Sequence, residues 1–263
     1  MANLVRSAKS GSNWTQAELD AYNITVISQD AATFFGVPHL PQLHVSQELL
    51  AKESAIDMVD DKNAELINLL DLAMGPSSED SAVDDFAVEL FKMLAYVRRH
   101  RIARTGKDIP LLICGEWKHA KADVCILDRE QNDIMLLLLE DKRFGQGELS
   151  STDAEAQLIA MSIAAFSRNN RCRVDTGLPE HRSKVIPGIV MVRTAPVFYK
   201  TEVISDLEYN IRHGLYPPNV TVVARHLPTV PRPNRRRSEG MKPLNSRSHI
   251  MRCYEAFKPI VGI

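Results

Sequence analysis

Ile134-Met135-Leu136-Leu137-Leu138-Leu139-Glu140-Asp141-Lys142 is the stretch whose reading decides the fold. An unbroken apolar run that stops at three charges reads as a strand buried on both faces, with its end released to the surface. Side chains alternate along a strand, so Glu140 and Lys142 point one way and Asp141 the other. A carboxylate and an amine are thereby held side by side at the end of a buried strand.

Outward from this strand the pattern is that of a meander. Leu111 to Trp117 reads as a first strand and Ala122 to Leu127 as a second, with a turn between them. After the third strand an alanine-rich helix is expected from Thr152 to Phe166, opened by Thr152 and Glu155 at capping-box spacing. Gln157 stands out in it as a large polar residue among small apolar ones. Upstream, Ser46 caps a helical stretch that Gly75-Pro76 stops. The segment Ser81 to Arg104 reads as one helix, with a stripe of Val83, Phe86, Leu90, Leu94 and Val97. Asp84 and Asp85 near its start and Arg98, Arg99, Arg101 and Arg104 near its end suit the helix dipole.

Downstream, Pro187 to Val192 and Ala195 to Lys200 read as strands about an Arg193-Thr194 turn. A helix over Glu202 to Arg212, ended by Gly214, and a strand over Asn219 to Ala224 follow. The expected fold class is α/β (α+β): a central mixed β-sheet flanked by helices, with helical N-terminal additions. One domain over 1–263 is expected, with a core at about 81–224. Met1 to Asn13 reads as disordered or a loosely attached arm, and the Pro/Arg-rich segment 225–248 as irregular structure or a flexible arm, with a short helix near Arg247 to Phe257.

Formal net charge is -1, so overall charge names no partner, but the charges are segregated. Ser46 to Thr105 is acid-rich until its last turn, whereas Arg225 to Arg252 holds eight Arg or Lys and one acidic residue, Glu239. Cys114, Cys125, Cys172 and Cys253 lack the spacing of a zinc site and read as reduced thiols. Neither an apolar leader nor an 18-residue apolar run is present in the sequence. The expectation is an intracellular protein, cytoplasmic or nuclear, with no membrane partner.

Asp123 opens the second strand of the meander and Glu140 ends the third. If the two strands are antiparallel neighbours, these carboxylates face each other across the ladder at a distance one divalent cation can bridge. Two carboxylates, the backbone carbonyl of Asp141 and waters suit Mg²⁺ or Mn²⁺. Such an ion activates water and neutralises a phosphoryl group under attack, with Lys142 orienting the water or stabilising charge. The bland alternative is a solvated Glu-x-Lys pair.

The pattern Asp123, then Glu140-Asp141-Lys142 seventeen residues on, resembles the PD-(D/E)XK nuclease superfamily, with Ala122 standing where the motif has Pro. The resemblance implies a restriction-endonuclease-like αβββαβ core and metal-dependent hydrolysis of phosphodiester bonds in DNA or RNA. It implies a supporting role for Gln157 and makes Glu89 the nearest candidate for a further metal ligand. It is compatible with a homodimer. The arginine- and proline-rich tail resembles a fungal branch, a likeness that implies no function. Arg98, Arg99, Arg101, Lys118, Lys121, Arg235, Arg236 and Arg237 are the candidate contacts to nucleic acid. Dipole compensation, a nuclear-import signal or plain solvation are the competing readings of the arginine clusters. A catalytically inactive nuclease-like domain, acting as a nucleic-acid or protein binding module, is the alternative function.

Overall fold

The computed structural model describes residues 6–75, 81–141 and 152–263. In chain order its elements are α1 (Gln16–Ala21), β1 (Ile24–Ser28), α2 (Ala31–Phe35), α3 (Gln47–Ala51), α4 (Asp61–Ala73), α5 (Ala82–Met93), β2 (Arg101–Ile113), β3 (Glu116–Asp128) and β4 (Ile134–Glu140). Then come α6 (Thr152–Asp175), β5 (Ser183–Val192), β6 (Ala195–Ile204), α7 (Ser205–His213), β7 (Thr221–His226), α8 (Arg236–Glu239) and α9 (Leu244–Val261). The strands form a seven-stranded mixed sheet in the order β1-β7-β6-β5-β4-β3-β2. β2/β3 and β3/β4 pair antiparallel, β4/β5 parallel, β5/β6 and β6/β7 antiparallel, and β1/β7 parallel.

Helices cover both faces because β4 is apolar on both. Leu136 and Leu138 join a core with Phe86 and Leu90 of α5, Leu66 and Leu70 of α4, and Tyr254 and Phe257 of α9. Ile134, Leu137 and Leu139 join the other, with Leu158, Ile159 and Ile163 of α6 and Leu207 of α7. The expected mixed sheet flanked by helices is therefore present. Among the described residues, no helix is long and apolar enough to cross a membrane.

Several boundaries differ from expectation. The segment read as one helix to Arg104 stops at Met93, where Ala95 (φ 61°) and Arg99 (φ 40°) turn the chain into β2. Arg98 and Arg101 close that turn by exchanging main-chain hydrogen bonds at 3.2 and 2.7 Å. The basic cluster thus compensates no helix dipole. It lies at the start of a strand whose long pairing with β3, from Arg101↔Asp128 to Ile113↔Glu116, outweighs local helix preference. The hairpin turn is Cys114-Gly115, both at positive φ (51° and 77°), as a two-residue turn of this kind demands. Trp117 to Lys121, part of it expected as turn, is strand.

The two ends are also more firmly held than their composition suggests. In the N-terminal segment, Arg6 donates to the Ala21 and Gly214 carbonyls at 3.1 and 3.0 Å. Gly11 packs so closely on β3 that a Cβ there would lie 2.7 Å from that of Ala120. The C-terminal segment is no free arm. Val230 and Met241 are buried, and Arg247, 1% exposed, donates to the carbonyls of Met241, Leu49, Lys52 and Lys242 at 2.9–3.1 Å.

Candidate functional site

The site begins with a break in alternation on the β2/β3 ribbon. Along β3, Ala120 and Ala122 face the α6 side, Val124 and Ile126 the opposite side, and Cys125 and Leu127 the α6 side again. β2 makes the same step between Ile102 and Ile109, both on the α6 side. The step falls at Gly106 and Asp123, whose pairing is skipped between Thr105↔Val124 and Lys107↔Ala122. Gly106 adopts φ 58°, a left-handed conformation that glycine enters without a Cβ penalty. Irregularities of this kind re-aim a side chain out of the ladder.

Asp123, so released, reaches the end of β4. Its Oδ2 accepts the main-chain N–H of Glu140 at 2.8 Å. Contrary to the expectation from the sequence, the two residues are not directly opposite. Continuing the register beyond Val124↔Leu138 puts Asp123 across from Leu139 and Glu140 one step further on, a diagonal relation. Glu140 pairs with Met191 of β5, and its Oε2 is buried. Both acidic residues nevertheless line one hollow of about 340 Å³, together with Ser12, Lys121, Asp141 and Gln157. Gln157 reaches it from α6, and Lys121 is exposed at its edge. Lys142 lies outside the described residues.

A larger hollow of about 560 Å³ adjoins the first at Asp141, which lines both. It sits where β1, β4, β5 and β7 have their carboxyl ends, the usual ligand position of open sheets with parallel strands. Arg225, Arg236 and Arg237 enter its lining. Arg225 is held by Glu155 at 3.0 Å and by Ser28 Oγ at 2.9 Å, so Glu155 is an ion-pair partner and not simply a cap residue. Burial, and after it the Glu155 carboxylate alongside, holds the Tyr199 hydroxyl well above its ordinary pKa. Cys125, inside the sheet, is pushed up to about 11 by burial and is no nucleophile.

Other sequence candidates are placed elsewhere. Glu89 pairs with Lys92 at 3.0 Å on α5 and does not line the acidic hollow. Arg101 spends its guanidinium on the Tyr96 and Ala95 carbonyls at 3.0 and 3.2 Å. Arg98, Arg99 and Arg101 stand at the far end of the ribbon: Arg101 pairs with Asp128, five residues from Asp123, or about 17 Å of strand. Lys118 is paired with Glu116 at 2.8 Å. Arg235 is exposed beside Glu239 at 3.5 Å, whereas Arg236 is buried. Sequence reading missed Arg225, Tyr199 and Ser12. Arg225 was visible as a charge ending a β-branched strand; nothing in the sequence marked Ser12.

Among the described residues there is no group of three or more His, Cys, Asp or Glu side chains placed to hold a metal ion. The donor chemistry still suits a hard cation. Mg²⁺ is commonly held by one or two carboxylates, the rest of its shell coming from water and phosphate. Asp123, Glu140, the Asp141 carbonyl and the Gln157 carboxamide supply oxygen donors of that type. Compared with models of protein families and with curated proteins, the sequence matches none.

Proposed function

We propose that the protein hydrolyses phosphodiester bonds of nucleic acid, with Mg²⁺ or Mn²⁺ held by Asp123 and Glu140. The observation that carries this reading is the meeting of Asp123, Glu140 and Gln157 at one open hollow, from three separate elements. The order α5-β2-β3-β4-α6-β5 supports it, because it matches the αβββαβ order of restriction-endonuclease-like nucleases. The skipped pair at Asp123 supports it too, since an irregularity that turns a carboxylate out of a ladder suits a site.

A bound cation would supply a nucleophilic water at neutral pH and neutralise charge on the phosphate. The chain's own residues do the positioning. The Glu140 N–H fixes the Asp123 carboxylate, Gln157 can hold a water or phosphate oxygen by its carboxamide, and Lys121 at the rim attracts the polyanion. Lys142 is assigned the orientation of water or stabilisation of charge on its place in the motif.

The test is incubation with single- and double-stranded DNA and RNA in Mg²⁺, Mn²⁺ or EDTA. Cleavage should require the metal and vanish in Glu140→Gln with the melting temperature unchanged. Glu140→Gln that still cuts would remove that residue from the mechanism. A second reading, a nuclease-like module that binds without cutting, is favoured by the lack of a three-ligand cluster among the described residues. It requires nucleic-acid binding that EDTA leaves intact, and no products.

A further inference from the structure

The larger hollow contains a buried cation with no ion-pair partner among the described residues, although Asp141 is in its lining. Arg236 is 7% exposed, and its Nη2 donates to the Pro196 carbonyl. Its Nε is sealed from water and has no hydrogen-bond partner among the described residues. No described carboxylate forms an ion pair with it. Burial, reinforced by the like charge of Arg237, lowers its pKa to about 10, a sign of how poorly the cation is compensated. Buried charges are normally paired, because an isolated ion in a low-dielectric setting is costly. Arg247, also buried, shows the contrast in hydrogen bonding, with each guanidinium nitrogen donating to a main-chain carbonyl.

The wall around this cation is two-sided in chemistry. Val190, Val192, Val197 and Leu227 give an apolar surface, while Arg236 and Arg237 give a cationic one. A volume of about 560 Å³ lies within the range of small-molecule sites, about 300–1,000 Å³. A bare anion would satisfy the arginines and leave the valines uncovered. A neutral apolar ligand would do the reverse.

We propose that this hollow is a subsite for a nucleotide unit, its phosphate compensating Arg236 and Arg237 and its sugar and base lying against the valine wall. Guanidinium groups suit the task because their planar fork matches phosphate oxygens. The proposal rests on the nuclease reading for one point, that the nucleotide belongs to a polynucleotide. Because the two hollows adjoin at Asp141, one phosphate would then lie against Arg236 and Arg237 while a neighbouring bond lies at Asp123 and Glu140.

The experiment is calorimetric titration of the full chain in EDTA with adenosine monophosphate, ribose 5-phosphate, adenosine and inorganic phosphate. Adenosine monophosphate should bind tightest, and adenosine and phosphate each about tenfold or more weaker. Arg237→Gln, at a partly exposed position, should weaken the monophosphate about tenfold and reduce the salt dependence. Arg236→Met should abolish binding at little cost in melting temperature, since the removal of an unpaired buried charge offsets the loss of the hydrogen bond to the Pro196 carbonyl. Glu140→Gln should bind as the wild type does. Monophosphate binding without cleavage by the wild type would sink the nuclease reading and keep the subsite. Cleavage without monophosphate binding, or binding indifferent to Arg237→Gln, would sink the subsite alone.

Discussion

Removing the Asp123 carboxylate separates what it does for the fold from what it is proposed to do for chemistry. Its Oδ2 accepts the Glu140 N–H at 2.8 Å, between partly buried groups at the end of β4. A hydrogen bond to a charged acceptor contributes about 1.5–3 kcal/mol. The groups are only partly buried, which places the contact at the lower end of that range, so Asp123→Ala should cost about 1.5–2 kcal/mol. In a chain of this size each kcal/mol moves the melting temperature by about 2–4 °C, which makes the expected fall about 3–8 °C. Asp123→Asn keeps an oxygen acceptor in a neutral bond and should cost about half as much. Cleavage should be lost in both, because neither leaves a carboxylate for the metal. Scanning calorimetry and a nuclease assay on the same preparations therefore give a graded stability series beside an all-or-none activity series. Asp123→Ala melting with the wild type would show that the contact does not hold the strand end. Asp123→Asn cleaving at the wild-type rate would refute the assignment of the site.

Glu48 offers a pH test away from the site. Hydrogen bonds from Asn63, the Val59 N–H and Lys52 hold its carboxyl at about 2, below the ordinary 4.5. A depressed folded-state value contributes stability that is fully present above pH 4.5 and lost as the pH falls toward 2. Glu48→Gln should therefore melt below the wild type at pH 6, and the gap should narrow in melts taken between pH 4.5 and 2.5. A gap that stays constant over that range would show that Glu48 titrates normally. Arg247→Met should be the costliest of these changes, about 3–5 kcal/mol, because it strands buried carbonyls at the junction of α3 and α9. Urea unfolding should show a lower midpoint at unchanged slope. A loss under 1 kcal/mol would mean that the C-terminal helix is not anchored there.

Elements defined by apolar runs were legible in the sequence: β4, the β5/β6 hairpin about Arg193-Thr194, and α6 by its alanines. The end of α5 was not, because arginines that suit a helix terminus equally suit an exposed strand, and only pairing with β3 decides between them. Lys118 to Lys121 of β3 reads as turn because its inward residue Ala120, like Ala122 after it, is small. They are small since Gly11 and α6 approach closely there, a tertiary fact with no local trace. The proline- and arginine-rich tail reads as solvated, yet main-chain carbonyls far away in the chain accept its buried Arg247. The spacing of Asp123 and Glu140 foretold that they would come together. Their diagonal offset follows from the β3/β4 register, which shifts between Ile126 and Leu127, an irregularity that alternation cannot show. The basic hollow was illegible as a unit, since its lining is gathered from five separate stretches of chain.

The pairing of β1 with β7 bears on how this chain is made. Ser28 meets Arg225 across 197 residues, so the first strand to leave the ribosome waits for the last of the seven. At about 5–20 residues per second the wait is roughly 10–40 s. Throughout it, Ile24 and Val26 have no ladder to join, and an unclaimed edge of this kind is a template for unwanted pairing. Nascent chains halted before Thr221 should therefore be the ones that holdase chaperones retain.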